Sequence, residues 1–73
     1  MRYFMFSPLD MSEAEAYEAA RQFLLDNHIV HVTSHGVRIV PPVSGKRPAA
    51  APNTYLVRVE QDGSLRVVQR ALN

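Results

Sequence analysis

Three histidines, His28, His31 and His35, are the first residues to test for chemistry. Spacings of three and four would bring imidazoles together on a helix. Here His31 falls in the β-branched run Ile29–Thr33, His28 just before it and His35 in the turn that follows. Along a strand, side chains alternate between faces, so His28 and His31 point to opposite sides. A zinc centre needs three or four converging ligands. The reading is therefore exposed or capping histidines and no metal.

Ser44-Gly45-Lys46-Arg47 has the look of the end of a phosphate-binding loop. That motif requires glycine five positions before Gly45, where Val40 stands, and serine or threonine after Lys46, where Arg47 stands. The residues around it are prolines and alanines rather than a helix. Nucleotide binding does not follow. Glu13, Glu15 and Glu18 lie along the first turns of a solvated helix, whereas acid–base catalysis needs groups converging in a sheltered pocket. No nucleophile–base arrangement is readable from spacing, and a chain of 73 residues can hardly enclose a substrate. The expectation is a protein that is not an enzyme, with no cofactor and no small-molecule substrate.

The charge distribution carries more. Net charge is +1, but residues 1–27 hold two arginines against five carboxylates. Residues 28–73 hold six basic residues against two acidic ones. Five of those six are arginine, whose planar fork suits carboxylates and phosphates.

Which elements position these groups? Residues 2–6, Arg-Tyr-Phe-Met-Phe, predict a short strand with Phe4 and Phe6 on one face and Tyr3 and Met5 on the other. Residues 12–27 predict the one long helix. Ser12 with Glu15 has capping-box spacing, as does Asp10 with Glu13, and Ala16, Ala20, Phe23 and Leu24 form its apolar stripe. Asn27-His28 is a plausible end for it. Residues 29–33 and 37–40 predict a hairpin, with a two-residue turn at His35-Gly36 that sets Val32 opposite Ile39. Pro41-Pro42 stops its second strand.

Residues 41–52 hold four prolines and no aromatic residue, and read as a flexible Pro/Ala-rich loop. Residues 54–60 and 64–70 alternate around Gln61-Asp62-Gly63 and predict a hairpin with Gly63 as a left-handed bulge residue. That register pairs Val59 with Leu65 and Val57 with Val67, and sets Arg58 against Arg66. The expected fold is one α+β domain over residues 1–73. One amphipathic helix packs on one face of a four- or five-stranded antiparallel sheet, in the order β-α-β-β-(Pro-rich loop)-β-β. The expected core is Phe4, Phe6, Leu9, Ala16, Ala20, Phe23, Leu24, Val30, Val32, Ile39, Tyr55, Val57, Val59, Leu65 and Val67.

Tyr3-Phe4-Met5-Phe6 before Pro8-Leu9, with a helix opening at Ser12, resembles the first strand and helix of RNA-recognition-motif domains. The resemblance covers about the first quarter of the chain. It implies RNA reading by aromatics on a sheet face, with a second glycine/aromatic motif on a central strand. Residues 29–33 and 37–40 contain no aromatic residue, and residues 41–52 cannot supply the family's second helix. No family is assigned.

There is no cysteine, hence no disulfide and no thiolate site. The apolar run after Arg2 ends at Ser7-Pro8, so no secretory leader is read, and the expected compartment is cytoplasmic. A single helix cannot shield both sides of such a sheet. The uncovered face, with Tyr3, Met5, Leu56, Arg58, Arg66 and Val68, is the expected docking surface. Apolar residues rimmed by arginine are the composition of protein interfaces. The expected function is a small protein–protein interaction module: an adaptor or inhibitor, of the kind phages use against larger host complexes. Its partner would be another protein, including a second copy as a homodimer, and no membrane is involved. The alternative is weak nucleic-acid binding through Arg38, Lys46, Arg47 and Arg70 together with Arg58 and Arg66.

Overall fold

A computed structural model describes residues 2–26, 28–41 and 47–71. The chain runs β1(Arg2–Phe6), α1(Glu13–Arg21), β2(Ile29–Thr33), β3(Gly36–Val40), β4(Thr54–Val59), β5(Leu65–Ala71). The fold is α+β, as expected, and the elements follow the expected order along the chain. In space the strands lie β3-β2-β1-β4-β5, so β1 is central.

The sheet is mixed, which corrects the antiparallel expectation. β1 and β2 are parallel, with Tyr3 beside Ile29 and Met5 beside His31. The other three pairings are antiparallel. The reason lies in the connection: a helix laid along the sheet returns the chain to the end from which β1 started. β2 then runs the same way as β1.

Helix α1 opens as the sequence implies. The Ser12 side chain accepts from the Glu15 amide, and the Glu15 carboxylate accepts from the Ser12 amide, a complete capping box. It ends at Arg21, well before residue 27. A nine-residue helix is about 13.5 Å long, close to the length of a five-residue strand. Continuation to residue 27 would overrun the sheet, and the chain must turn to enter β2 at Ile29. The Phe23 amide bonds back to Ala20 in that turn. Phe23 is therefore 42% exposed rather than core, while Leu24 packs on the core's margin. Residue 27, the expected terminator, lies outside the described residues.

Two clusters fill the interior, one on each side of the sheet. On the helix side Phe4, Phe6, Ala16, Ala20, Val30, Val32, Val57 and Val59 are buried, with Tyr55, Leu65 and Val67 packed around them. Ala16 and Ala20 bring the helix backbone close to the sheet. The Phe4 and Phe6 rings stack with centroids 6.2 Å apart, and Tyr55 meets Phe6 edge-on at 5.6 Å. Two more residues expected in the core are outside it. Leu9, in the turn before α1, is 81% exposed, and Ile39, on edge strand β3, is 43% exposed.

The second cluster is Met5, Ile29 and Leu56, with Tyr3, Val40, Ala50, Ala51 and Val68 against it. This corrects the expectation of an uncovered face. β3 and β4 run in the same direction with β2 and β1 between them. The chain leaving β3 must return along the sheet and cross two strands, a span on the order of 20 Å. A segment the length of residues 41–53 can extend to about 45 Å, so it has ample reach. Its described part, residues 47–53, forms a strap on the side opposite the helix. In this strap Pro48 is buried, Ala50 donates to the Gln69 side chain at 3.3 Å, and Ala51 accepts from Thr54. Asn53, at φ 60, turns the strap into β4. Residues 42–46, in the middle of the loop read from sequence, lie outside the described residues.

The two hairpins differ from expectation in opposite ways. At β4–β5 the register is as read: Val59 with Leu65, Arg58 with Arg66, Val57 with Val67. Gly63 sits at φ 88, its amide bonded to Glu60 while the Glu60 amide bonds to Ser64, the turn expected of Asp-Gly. A bulge at Leu56/Val57 then shifts the pairing, so that Leu56 faces Gln69. At β2–β3 the turn is Ser34-His35, and Val32 faces Val37 rather than Ile39. Both registers keep the same residues on the helix side, so face polarity cannot separate them. Side chains settle it. Asp10 accepts from the Ser34 amide at 2.7 Å and hydroxyl at 2.8 Å, and Thr33 Oγ1 donates to the Gly36 carbonyl at 2.9 Å.

Leu56, fully enclosed between sheet and strap, tests this second cluster. Leu56→Ala should cost about 2–5 kcal/mol in urea denaturation. A loss below about 1 kcal/mol would mean that the strap does not pack there.

Candidate interaction surface

On the strap side, sheet register arranges side chains in rows. One row runs Val40, Ile29, Tyr3, Arg58, Arg66 across the five strands. The next runs Arg38, His31, Met5, Leu56, Gln69. The strap packs over the middle of these rows, against Met5, Ile29 and Leu56, and separates two polar corners.

The first corner holds Tyr3, Arg58, Glu60 and Arg66. Arg58 and Arg66 face each other, an arrangement that is unfavourable unless something neutralises it. The neutralising group is within the chain. Glu60 Oε1 accepts from Arg58 Nε at 2.9 Å and lies 2.8 Å from its Nη2. The same oxygen is 4.0 Å from Arg66 Nε. Donation to Glu60, helped by the Tyr3 side chain, holds the Arg58 guanidinium even more firmly protonated than usual. Among the described residues Arg66 has only the long contact, and it is exposed. The corner therefore carries two positive charges against one negative.

The second corner holds His31 and Arg38. Arg38 Nη2 lies 3.2 Å from His31 Nδ1. A guanidinium has only donors, so Nδ1 accepts and the ring proton sits on Nε2. Burial, reinforced by the Arg38 charge, lowers the His31 pKa. From sequence this residue reads as merely exposed or capping; its cross-strand partner is hidden there because it depends on the Ser34-His35 register.

Of the six residues expected to dock a partner, the structure brings Tyr3, Arg58 and Arg66 into one corner. Met5 and Leu56 are buried beneath the strap, and Val68 packs with them at the bulge. The basic residues of the nucleic-acid alternative are dispersed. Arg38 belongs to the second corner. Arg70 lies on the helix side, its guanidinium 5.5 Å from the Tyr55 ring centre. Arg47 is exposed in the strap, and Lys46 lies outside the described residues. Glu13, Glu15 and Glu18 are on the helix, on the opposite side of the sheet from Arg58 and Arg66.

Among the described residues no three histidine, aspartate or glutamate side chains are grouped to hold a metal. No helix among them is long and apolar enough to cross a membrane. The chain matches no family model, no curated protein and no solved structure in comparisons with known proteins.

Two measurements check these corners. His31 should titrate below 6.5 by NMR, and Arg38→Ala should move it upward. The sign for stability follows. The unfolded chain takes up the proton first as pH falls below about 6.5, so His31 makes folding less favourable from there down to its native pKa. Glu60→Gln should destabilise the fold at low ionic strength, and added salt should restore part of the loss by screening Arg58 from Arg66. Equal losses at low and high salt would show that Glu60 does not act by charge.

Proposed function

We propose that this chain is a small, non-enzymatic protein-interaction module, an adaptor or inhibitor, that docks an acidic protein surface at the Tyr3–Arg58–Arg66 corner. The supporting observation is the unequal sharing of Glu60. It fixes Arg58 with two short contacts and leaves Arg66 exposed with one long one. A partner carboxylate placed between Tyr3 and Arg66 would complete the neutralisation. Arg58 is already oriented for it, so little side-chain freedom is lost on binding. The tyrosine adds apolar area at the same point, and Tyr and Arg are the residues that dominate interface energetics.

Charge also favours a protein over a nucleic acid. Phosphate-backbone tracking needs a stripe of cations. Here the strap separates Arg38 from Arg58 and Arg66, and Arg70 faces the other way. The acidic helix would repel a polyanion that wrapped around the domain.

The test is a titration of the isotope-labelled chain with a glutamate-rich peptide and, separately, with a single-stranded oligonucleotide. Peptide-induced shifts should centre on Tyr3, Arg58, Glu60 and Arg66, and Arg66→Glu should abolish them with the fold intact. Shifts spread over Arg38, Arg47 and Arg70, with oligonucleotide binding that weakens steeply with salt, would replace this reading by the nucleic-acid one.

A further inference from the structure

The two edges of the sheet are built differently. β5 carries Arg66 and Arg70, and its pairing with β4 is interrupted by a bulge. Charge and bulges are what keep an exposed strand from pairing with another chain. β3 has a regular register and one charged residue, Arg38. It exposes Ile39 on the helix side, and Phe23 and Leu25, 42% and 46% exposed, stand at the same end of the sheet.

Hairpin geometry shows which backbone groups this edge offers. With a two-residue turn, Thr33 and Gly36 must be a hydrogen-bonded pair, and so must His31 with Arg38 and Ile29 with Val40. The N–H and C=O groups of Gly36, Arg38 and Val40 therefore point to β2. Those of Val37 and Ile39 point away from it, to the edge that no described strand pairs. Pro41 follows, with a carbonyl but no N–H, and ends the usable stretch.

We propose that β3 pairs antiparallel with β3 of a second copy of the chain about a two-fold axis at Ile39. The two five-stranded sheets would then become one. The register is selected by charge and by apolar exposure: an axis at Val37 would leave the exposed Ile39 opposite His35, whereas an axis at Ile39 buries it. An axis at Arg38 would set Arg38 against its own copy, which is unfavourable. An axis at Ile39 sets Ile39 against Ile39 and Arg38 against Val40. Ile39 then exchanges both backbone bonds with its copy, and each Val37 N–H meets a Pro41 carbonyl. On the helix side the seam is Val37, Ile39 and Pro41 from both chains. A second copy fits because the strand is complementary to itself under this one operation. A domain of this size also buries little surface of its own. The surface is separate from the Tyr3–Arg58–Arg66 corner.

Light scattering on the eluting wild-type chain should give the mass of a dimer. Hydrogen exchange should show the Val37 and Ile39 amides protected, with protection that falls on dilution. Ile39→Lys should give a folded monomer with both amides exchanging rapidly. The chain has no cysteine, so Ile39→Cys should give a disulfide-linked dimer on mild oxidation, at the ~5.5 Å Cα separation of a bonded antiparallel pair. Arg70→Cys on the other edge should stay unlinked. A wild-type monomer at high micromolar concentration, or a dimer whose Val37 and Ile39 amides exchange freely, would overturn the proposal. The exchange measurement decides it even if Ile39→Lys fails to fold.

Discussion

A strand at the centre of a sheet has to be covered on both faces, and β1 is that strand. Phe4 and Phe6 point to one side and Met5 to the other, and all three are buried. Every larger feature of the fold answers this requirement. Among the described residues there are one helix and the strap of residues 47–53, and each packs on a different side of the sheet. α1 covers the Phe4/Phe6 side on its way from β1 to β2. The strap covers the Met5 side on its way into β4. Composition suits both covers. Ala16 and Ala20 let the helix approach, and Ala50 and Ala51 let an irregular backbone lie close without a stripe of large side chains.

This constraint separates what is legible in the sequence from what is not. Local signals are readable because each is complete within a few residues. The Ser12–Glu15 box, the Gly63 bulge turn and the alternation of residues 54–60 against 64–70 need no information from elsewhere. The order of strands does need it. Nothing near β1 says that β2 and β4 will flank it, so the need to cross both faces is not visible, and residues 41–52 look like a linker. The helix length is hidden for the same reason. The apolar stripe continues through Phe23 and Leu24, but the sheet that the helix must match is only about five residues long. Tertiary geometry cuts short a pattern that local periodicity would prolong. The candidate corner is half legible. Tyr3, Arg58 and Arg66 can be placed on one side from their registers. Alternation over residues 54–60 also puts Glu60 on that side, but its unequal sharing between Arg58 and Arg66 depends on side-chain geometry that spacing does not carry.

The strap also changes the meaning of the arginines. On a bare sheet face, two opposed arginines around Leu56 and Met5 would be the rim of an apolar patch. With Leu56 and Met5 enclosed, the apolar part contributes to the domain's own stability, and the polar corner must be read on its own terms. Glu60 then becomes the informative residue. A carboxylate shared equally would leave a closed ion-pair network with nothing to offer a partner. Held 2.8 Å from one arginine and 4.0 Å from the other, it leaves the second guanidinium's fork open.

Position within the sheet finally explains why the two edges are unlike. β5 is tied to β4 by a tight turn and flanks only that strand, so its outer side can carry charge without disturbing any packing. β3 is the far end of the side that α1 must cover. The nine-residue helix lies nearest β2, and Ile39 on the outer strand stays exposed. Ile39 adds apolar surface to an edge strand that a charged residue would protect better against pairing. The residue is intelligible if something completes the helix-side core from beyond β3. The edge that lacks protection is thus also the edge where the monomer's own cover runs out. The backbone groups of Val37 and Ile39, which no described strand pairs, and the exposed Ile39 side chain point independently to the same strand.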